Sequence, residues 1–320
     1  MIEAPFRADS TVARRMVELG TRVGSTVEAE VRALVEAPSA DPLGGSTVPA
    51  AAVADLVERH GLASDRELAL LALPIAGAMA RPPISGYRVG AVGIEGETGA
   101  LVLGANLEFP GADLGSTVHA EGFVALRARR RGATLETLAV REAHPCAHCR
   151  QTLAESAAAD DLEIIDPLGH ELRLAELYPW PFRPAALGVD GDRADAIAWP
   201  DLAFVAGDVP GDVSDLLLEV GARAHAPYSD APSAVVLQLR DGRFLAAAAF
   251  ESVAFNPSIT ALQAALVELV AAHAEAEDIA GAWLARAPGR SIDPAPGFRA
   301  LLSAVAPSAE ARVAEWRSGA

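Results

Sequence analysis

Four side chains in two short stretches could do chemistry together. His119 and Glu121 lie in "TVHAEGFV", residues 117–124, and Cys146 and Cys149 lie in "HPCAHCRQ", residues 144–151. The chain has 2 cysteines in all, and both sit in the second stretch. Thiolates and a neutral imidazole are zinc ligands, and a catalytic zinc site takes three protein ligands and leaves one position open. His119, Cys146 and Cys149 supply such a set. Glu121 is not expected to share the metal, because side chains two residues apart on a helix diverge. Beside the open position its carboxylate would take a proton from water and pass it on. Three other readings stand beside this one. A redox C-x-x-C pair needs neither His119 nor Glu121. A structural zinc site needs a fourth protein ligand, which His144 or His148 could supply, and leaves Glu121 without a task. The third is coincidence.

These residues need elements to position them. The Pro145–Cys146 step suits a helix entry, where amide N–H groups and the helix dipole favour thiolates. Sulfurs at i and i+3 then face one point. Another helix is expected from about Thr117. Upstream, "YRVGAVGIEG" and "GALVLGANLEF" read as two strands joined by a Gly-containing turn. "LETLAVREA" and "DLEIIDP" are two further strands flanking the cysteine helix. Strand and helix alternate as in an α/β layered unit. Residues 11–36, 49–60 and 65–80 carry apolar residues at helical spacing, with a Pro- and Gly-containing break at 38–49. Residues 167–210 are rich in Pro and Gly and are expected to connect two domains.

The second half repeats the first at an offset of 144 residues. Pro83 meets Pro227, Ser85 meets Ser229, Val92 meets Val236 and Leu101 meets Leu245, with Gly77 on Gly221 and Ala78 on Ala222 before them. Continued without a gap, the offset sets His119 on Gln263, Glu121 on Ala265 and Glu108 on Ser252. No cysteine follows Cys149. The second half is therefore expected to lack the reactive set and to hold no catalytic zinc. Its apolar stretches "AVVLQL" and "FLAAAAF" suit a buried sheet.

Composition narrows the partners. A chain of 320 residues is long enough for two domains, and 51% hydrophobic with 22% charged residues is a globular balance. No stretch approaches the roughly 20 apolar residues of a membrane helix, and "MIEAPFRADS" lacks the features of a secretory signal. Two cysteines at C-x-x-C spacing make no disulfide framework, so a cytoplasmic setting is expected. Net charge is −17, which opposes contact with phosphate backbones. The one basic cluster, Arg127 to Arg131 in "RARRR", reads as a solvated helix end. Small substrates suit this chain better than a polynucleotide, though zinc chemistry on a base within RNA or DNA and a non-catalytic zinc scaffold remain as alternatives.

The signature H-x-E followed by P-C-x-x-C is that of zinc deaminases. Together with "YRVGA", "GANLEF", "HAPYSDAPS", "DGRF" and "AFNP" it makes the sequence resemble the large two-domain bacterial cytidine deaminases, from about residue 65 to the end. The resemblance implies a three-layer α/β fold, a mixed sheet with helices on both faces, duplicated and preceded by a helical segment. The implied division is a helical segment at 1–64, a catalytic domain at 65–185, a linker at 186–210 and a degenerate domain at 211–320. It further implies a homodimer acting in pyrimidine salvage on cytidine and deoxycytidine, with one Zn2+ per chain held by His119, Cys146 and Cys149. Glu121 would be the proton shuttle, and Asn106 and Glu108 of "NLE" would hold ribose hydroxyls. Tyr87 stands where the family has a phenylalanine that packs on substrate. Phe182 of "WPFRP" matches an aromatic that the partner subunit offers to the base.

Overall fold

The computed structural model describes residues 8–37, 43–141, 144–156, 158–189, 199–206 and 208–317. Parts of the expected break at 38–49, of the strand text at 135–143 and of the linker at 186–210 lie outside the described residues. Two compact units emerge. One comprises residues 1–82, 86–107 and 119–181, and the other 83–85, 108–118 and 182–320.

In the first unit, α1 (Ser10–Leu19) and α2 (Ser25–Glu36) are joined by a π turn at Gly20–Gly24. Residues 11–36 read as one helical pattern, but two glycines of low helix propensity bracket that turn and let the ladder slip. A two-residue strand, β1 (Thr47–Val48), follows, and then α3 (Ala50–His60) and α4 (Asp65–Ala78). β1 went unforeseen because "STV" lies between Gly and Pro and is too short to show alternation; it pairs antiparallel with Leu101 and Val102.

The sheet itself comes from β2 (Gly90–Glu95), β3 (Leu101–Ala105), β4 (Leu135–Val140), β5 (Glu163–Ile165) and β6 (Glu171–Arg173). Its order is β1-β3-β2-β4-β5-β6, with β4 and β5 parallel and the other pairs antiparallel. Between the strands run α5 (Ala120–Arg130), α6 (Ala147–Leu153) and the short α7 (Leu174–Leu177). Two glycines of β2 show the layering. A Cβ at Gly90 would stand 2.4 Å from the Gly77 amide nitrogen of α4, whereas one at Gly93 would stand 2.5 Å from the Val124 side chain of α5. Residues 90 and 93 face opposite sides of the strand. The sheet therefore carries α4 on one face and α5 on the other.

The second unit repeats this plan. β7 (Ala203–Ala206), α8 (Gly211–Gly221), β8 (Ser233–Leu239), β9 (Phe244–Ala248), α9 (Ala261–Ala271), β10 (Ile279–Arg286), α10 (Ala295–Val305) and β11 (Glu310–Arg317) follow in chain order. The sheet order is β7-β11-β10-β8-β9, with β10 and β11 the parallel pair. Every residue of α9 is buried, as a helix with no polar stripe must be. β7 shows that the Pro- and Gly-rich stretch before residue 211 also contributes an edge strand to this sheet.

The shared plan corrects the constant offset. Gly90 pairs with Ala105 in the first hairpin and Ala234 pairs with Ala248 in the second, so the second hairpin turn is one residue shorter. Leu101 thus corresponds to Phe244 rather than Leu245. The following loop shortens by two more, because the α5 cap is His119 and the α9 cap is Thr260. His119 corresponds to Thr260, not Gln263, and Glu121 to Leu262, not Ala265. None of Thr260, Gln263, Leu262 and Ala265 is a zinc-ligand residue type, so the expectation for the second half is unchanged there.

The basic cluster is also corrected. Arg127 is 1% exposed and donates to the carbonyls of Leu43 and Gly45 at 2.7 and 2.6 Å. Arg131 pairs with the buried Glu95 at 2.6 Å. Two of these arginines bind the chain's own backbone and acid instead of forming a solvated helix end.

One glycine governs how α5 seats. A Cβ at Gly104 would lie 2.8 Å from the Ala120 carbonyl and 2.7 Å from Val124. Gly104→Ala should therefore push the first turn of α5 off β3 and lower stability by about 1–3 kcal/mol, read as a fall in Tm; an unchanged Tm would show that the helix seats without that close approach.

Candidate active site

The first turns of two helices build the site. His119 is the N-cap of α5 with extended backbone, and Glu121 stands in the first turn of the same helix. Cys146 is the N-cap of α6, where its sulfur accepts the Cys149 amide N–H at 3.5 Å. A sulfur thus fills the role that Ser or Asp usually takes at a cap. Arg150 fixes this turn by donating to the carbonyls of Pro145 at 2.6 Å and Leu177 at 2.8 Å. The buried Gln151 accepts from the Tyr178 hydroxyl at 2.8 Å. Neither Arg150 nor Gln151 drew a role from the sequence, although both stand directly after Cys149 in "CRQ".

Three donor atoms converge. The sulfurs of Cys146 and Cys149 are 3.6 Å apart, and the Nδ1 atom of His119 lies 3.5 Å from the first and 3.3 Å from the second. Tetrahedral zinc with bonds of about 2.3 Å to sulfur and about 2.0–2.1 Å to nitrogen requires separations of roughly 3.8 and 3.6 Å. The cluster needs to open by only a few tenths of an ångström. The residues fit the ion. His148 is exposed and His144 turns to Asp166 at 3.1 Å, so neither is drawn into the cluster as a fourth ligand. That arrangement disfavours a closed structural site.

The other expected residues divide between the units. Asn106 is buried; its Oδ1 atom accepts from the Val89 amide at 2.9 Å and its Nδ2 atom donates to the Tyr87 carbonyl at 2.9 Å. Tyr87 itself is exposed. In the second unit, Glu108 accepts from the amides of Ile84 and Ser85 at 2.9 and 2.8 Å and from the Ser85 hydroxyl at 2.5 Å. Phe182 also belongs to that unit and is exposed.

The Glu108 clasp has a twin. Glu251 accepts from the amides of Tyr228 and Ser229 at 3.0 and 3.1 Å and from the Ser229 hydroxyl. Glu108 therefore corresponds to Glu251 rather than Ser252, the one-residue shift that the shorter hairpin demands. The second half lacks the metal set but keeps this acid.

Models of the cytidine and deoxycytidylate deaminase zinc-binding region match residues 63–161 and 203–293. The cytidine deaminase of Vibrio atlanticus is 36% identical over 254 residues, which is 79% of this chain and 84% of that one. That of Sodalis glossinidius is 37% identical over 263 residues, with the same two shares. The chain belongs to the cytidine deaminase family. Both halves match its zinc-binding region, but only the first match contains His119, Cys146 and Cys149. Zinc is the cofactor.

Electrostatics divides the labour among the residues. Donation from Cys149, then from His119, holds the Cys146 thiol down to about 3, so its sulfur is ionised. That same ionised neighbour, with burial, pushes the Cys149 thiol up. Burial also raises the Glu121 carboxyl, which is 6% exposed and touches Cys149. Without metal, the cluster keeps a proton on Cys149 that zinc must displace. Zinc binding to metal-free protein should release at least one proton per ion, and retention should weaken as pH falls. A titration with a pH indicator in weak buffer and dialysis at descending pH measure both; no proton release would contradict the assignment of the protonated thiol.

A carboxyl raised above its unfolded value favours folding below that unfolded value and loses the advantage as pH rises through the raised one. Above that range, burying Glu121 as a charge opposes folding. Metal-free Glu121→Gln should thus be at least as stable as wild type at neutral pH, by denaturant midpoint, and a lower midpoint would count against the raised carboxyl.

Proposed function

We propose that the protein hydrolyses cytidine and deoxycytidine to uridine and deoxyuridine with release of ammonia, a reaction of pyrimidine salvage. The observation that carries this reading is the buried Glu121 carboxyl in contact with Cys149, within a convergent His119–Cys146–Cys149 cluster. When bound there, zinc supplies a Lewis acid that makes a water molecule acidic near neutral pH.

His119, Cys146 and Cys149 hold the ion and leave one position open. Glu121 takes the water proton onto its carboxylate, delivers it to N3 of the pyrimidine and later protonates the departing amine. Burial suits that task, since it brings the carboxyl nearer to the pH at which it must both accept and give a proton. Asn106 and Glu108 hold the ribose hydroxyls, and restrained motion of the sugar aligns C4 for attack. Asn106 keeps one N–H and one lone pair beyond its two backbone bonds for that purpose. Tyr87 packs on the substrate, and Phe182 is the aromatic that one subunit offers to the base bound in its partner.

One zinc is held at this cluster in each chain, and none at the equivalent places in the second unit, where Thr260 and Leu262 stand. The catalytic domain spans 65–185 after a helical segment at 1–64, and a linker at 186–210 leads to the degenerate domain at 211–320. The same reading takes the protein to be a homodimer. Among the described residues no helix is long and apolar enough to cross a membrane. A cytoplasmic setting agrees with the 2 cysteines of the chain, both free thiols. Nucleic acid as substrate is disfavoured by the net charge of −17 and by the internal bonding of Arg127 and Arg131.

Loss of the cytidine absorbance in the ultraviolet, followed alongside zinc content, tests the reading. Glu121→Gln should retain zinc and lose about 10²–10⁴-fold or more in kcat, while Cys146→Ala should lose zinc and activity together. Wild-type turnover by Glu121→Gln would refute the proton shuttle. Zinc-loaded protein inert toward cytidine and deoxycytidine would refute the function.

A further inference from the structure

A second group of metal-ligating side chains lies in the first unit, apart from the three residues of the cluster. Asp166 directly follows β5, His170 directly precedes β6, and His144 comes two residues ahead of Cys146. The Oδ2 atom of Asp166 faces two imidazoles at once, Nδ1 of His170 at 2.7 Å and Nε2 of His144 at 3.1 Å. All three ligand atoms lie within 4.8 Å of one another. The two rings meet edge to face with centroids 5.2 Å apart.

The carboxylate is built in rather than draped on the surface. Asp166 is only 5% exposed. Its other oxygen, Oδ1, accepts the amides of Leu168 and His170 at 2.9 and 3.0 Å, which aims Oδ2 at the rings. Burial works to raise this carboxyl, but those amide and imidazole bonds outweigh it and hold the group below the usual range. A buried carboxylate oriented by backbone amides and flanked by two imidazole nitrogens is the donor set of a borderline divalent ion.

We propose that His144, Asp166 and His170 form a second metal site, for a divalent ion of the zinc class, distinct from the His119–Cys146–Cys149 cluster. On binding, the two imidazoles move their N–H protons to the outward nitrogens, and the two nitrogens and Oδ2 bond the ion in place of the two hydrogen bonds. Solvent completes the coordination, as at other sites with three protein ligands. The ion would tie the β5–β6 turn to the segment that delivers Cys146. With two imidazoles and one carboxylate in place of thiolates, it exchanges more readily than the ion at the cysteines. The count of one zinc per chain concerns the cluster and its counterparts in the second unit; this ion is additional and belongs to the first.

Equilibrium dialysis of the zinc-loaded, full-length protein against excess Zn2+, with metal analysis, tests the site. Wild type should take up two ions per chain, and Asp166→Asn and His170→Gln one each. The amide introduced by Asp166→Asn is a poor metal ligand but keeps an acceptor for the backbone N–H groups of Leu168 and His170, and the one introduced by His170→Gln keeps a hydrogen-bond donor. Deaminase activity and the cluster zinc serve to establish that each variant is folded. Added Zn2+ should also raise the Tm of wild type through binding to the native state, and this rise should vanish in His170→Gln. Wild type holding one ion, or both variants retaining two, would overturn the proposal and leave the three residues as a hydrogen-bonded staple.

Discussion

The site depends on two helix starts being brought to one point. A thiolate pair at the start of α6 and an imidazole at the start of α5 are useless unless their donor atoms meet within the span of one ion, and they meet at 3.3–3.6 Å. Bringing like groups together is unfavourable until a metal or a shared proton binds them. The fold supplies the constraint. Gly104 lets the Ala120 carbonyl approach β3 closely enough to set the depth of α5, and Arg150 holds the turn ahead of α6 to the end of α7. Neither residue touches the chemistry, yet both decide whether the chemistry has a place.

Burial then separates the roles of otherwise similar groups. Cys146 and Cys149 are the same residue type three positions apart, but Cys149 is buried and Cys146 is not. The pair holds one negative charge between its sulfurs in the absence of metal, with the proton on the buried member. Glu121 shares that low-dielectric setting and burial raises its carboxyl, whereas the Cys149 thiol is raised first by the ionised Cys146 beside it and then by burial. A carboxyl raised by burial takes up a proton more readily than a free one and is better suited to carry it, and one that is firmly ionised is not. Asp166, embedded in amide and imidazole donors, is held down and is suited to bind a cation instead.

Much of this was legible in the residues, and what was not has identifiable causes. The ligand spacing, the alternation of strand and helix and the duplication all leave marks in side-chain type, because zinc chemistry and sheet burial both demand particular residues at particular intervals. β1 was illegible because two residues cannot show a period. The π turn at Gly20–Gly24 was hidden inside an apolar pattern that a helix and a bulged helix share. Arg127 looked solvated because an arginine in a basic run carries no sign that two carbonyls await it some 80 positions away in the chain. The offset of 144 failed past the first hairpin because turn lengths are free to drift while strand registers are not. His144 comes from one stretch of text and Asp166 and His170 from another, and the pairing of β4 with β5 brings the two stretches together.

The duplicated acid clasp bears on how Glu108 works. Glu108 and Glu251 each bind two successive amides and a serine hydroxyl in the turn that precedes the first long strand of their repeat. The second repeat has no metal set, so nothing catalytic there explains Glu251. Its retention is accounted for by the turn: two amides of a Pro-x-Ser bend need an acceptor, and leaving them unpaired on burial costs about 1–3 kcal/mol. At Glu108 that need is weaker, because Ile84 and Ser85 are exposed and water can reach their amides. The hydroxyl-binding role proposed for this residue is therefore added to a structural one, and truncating it would confound the two.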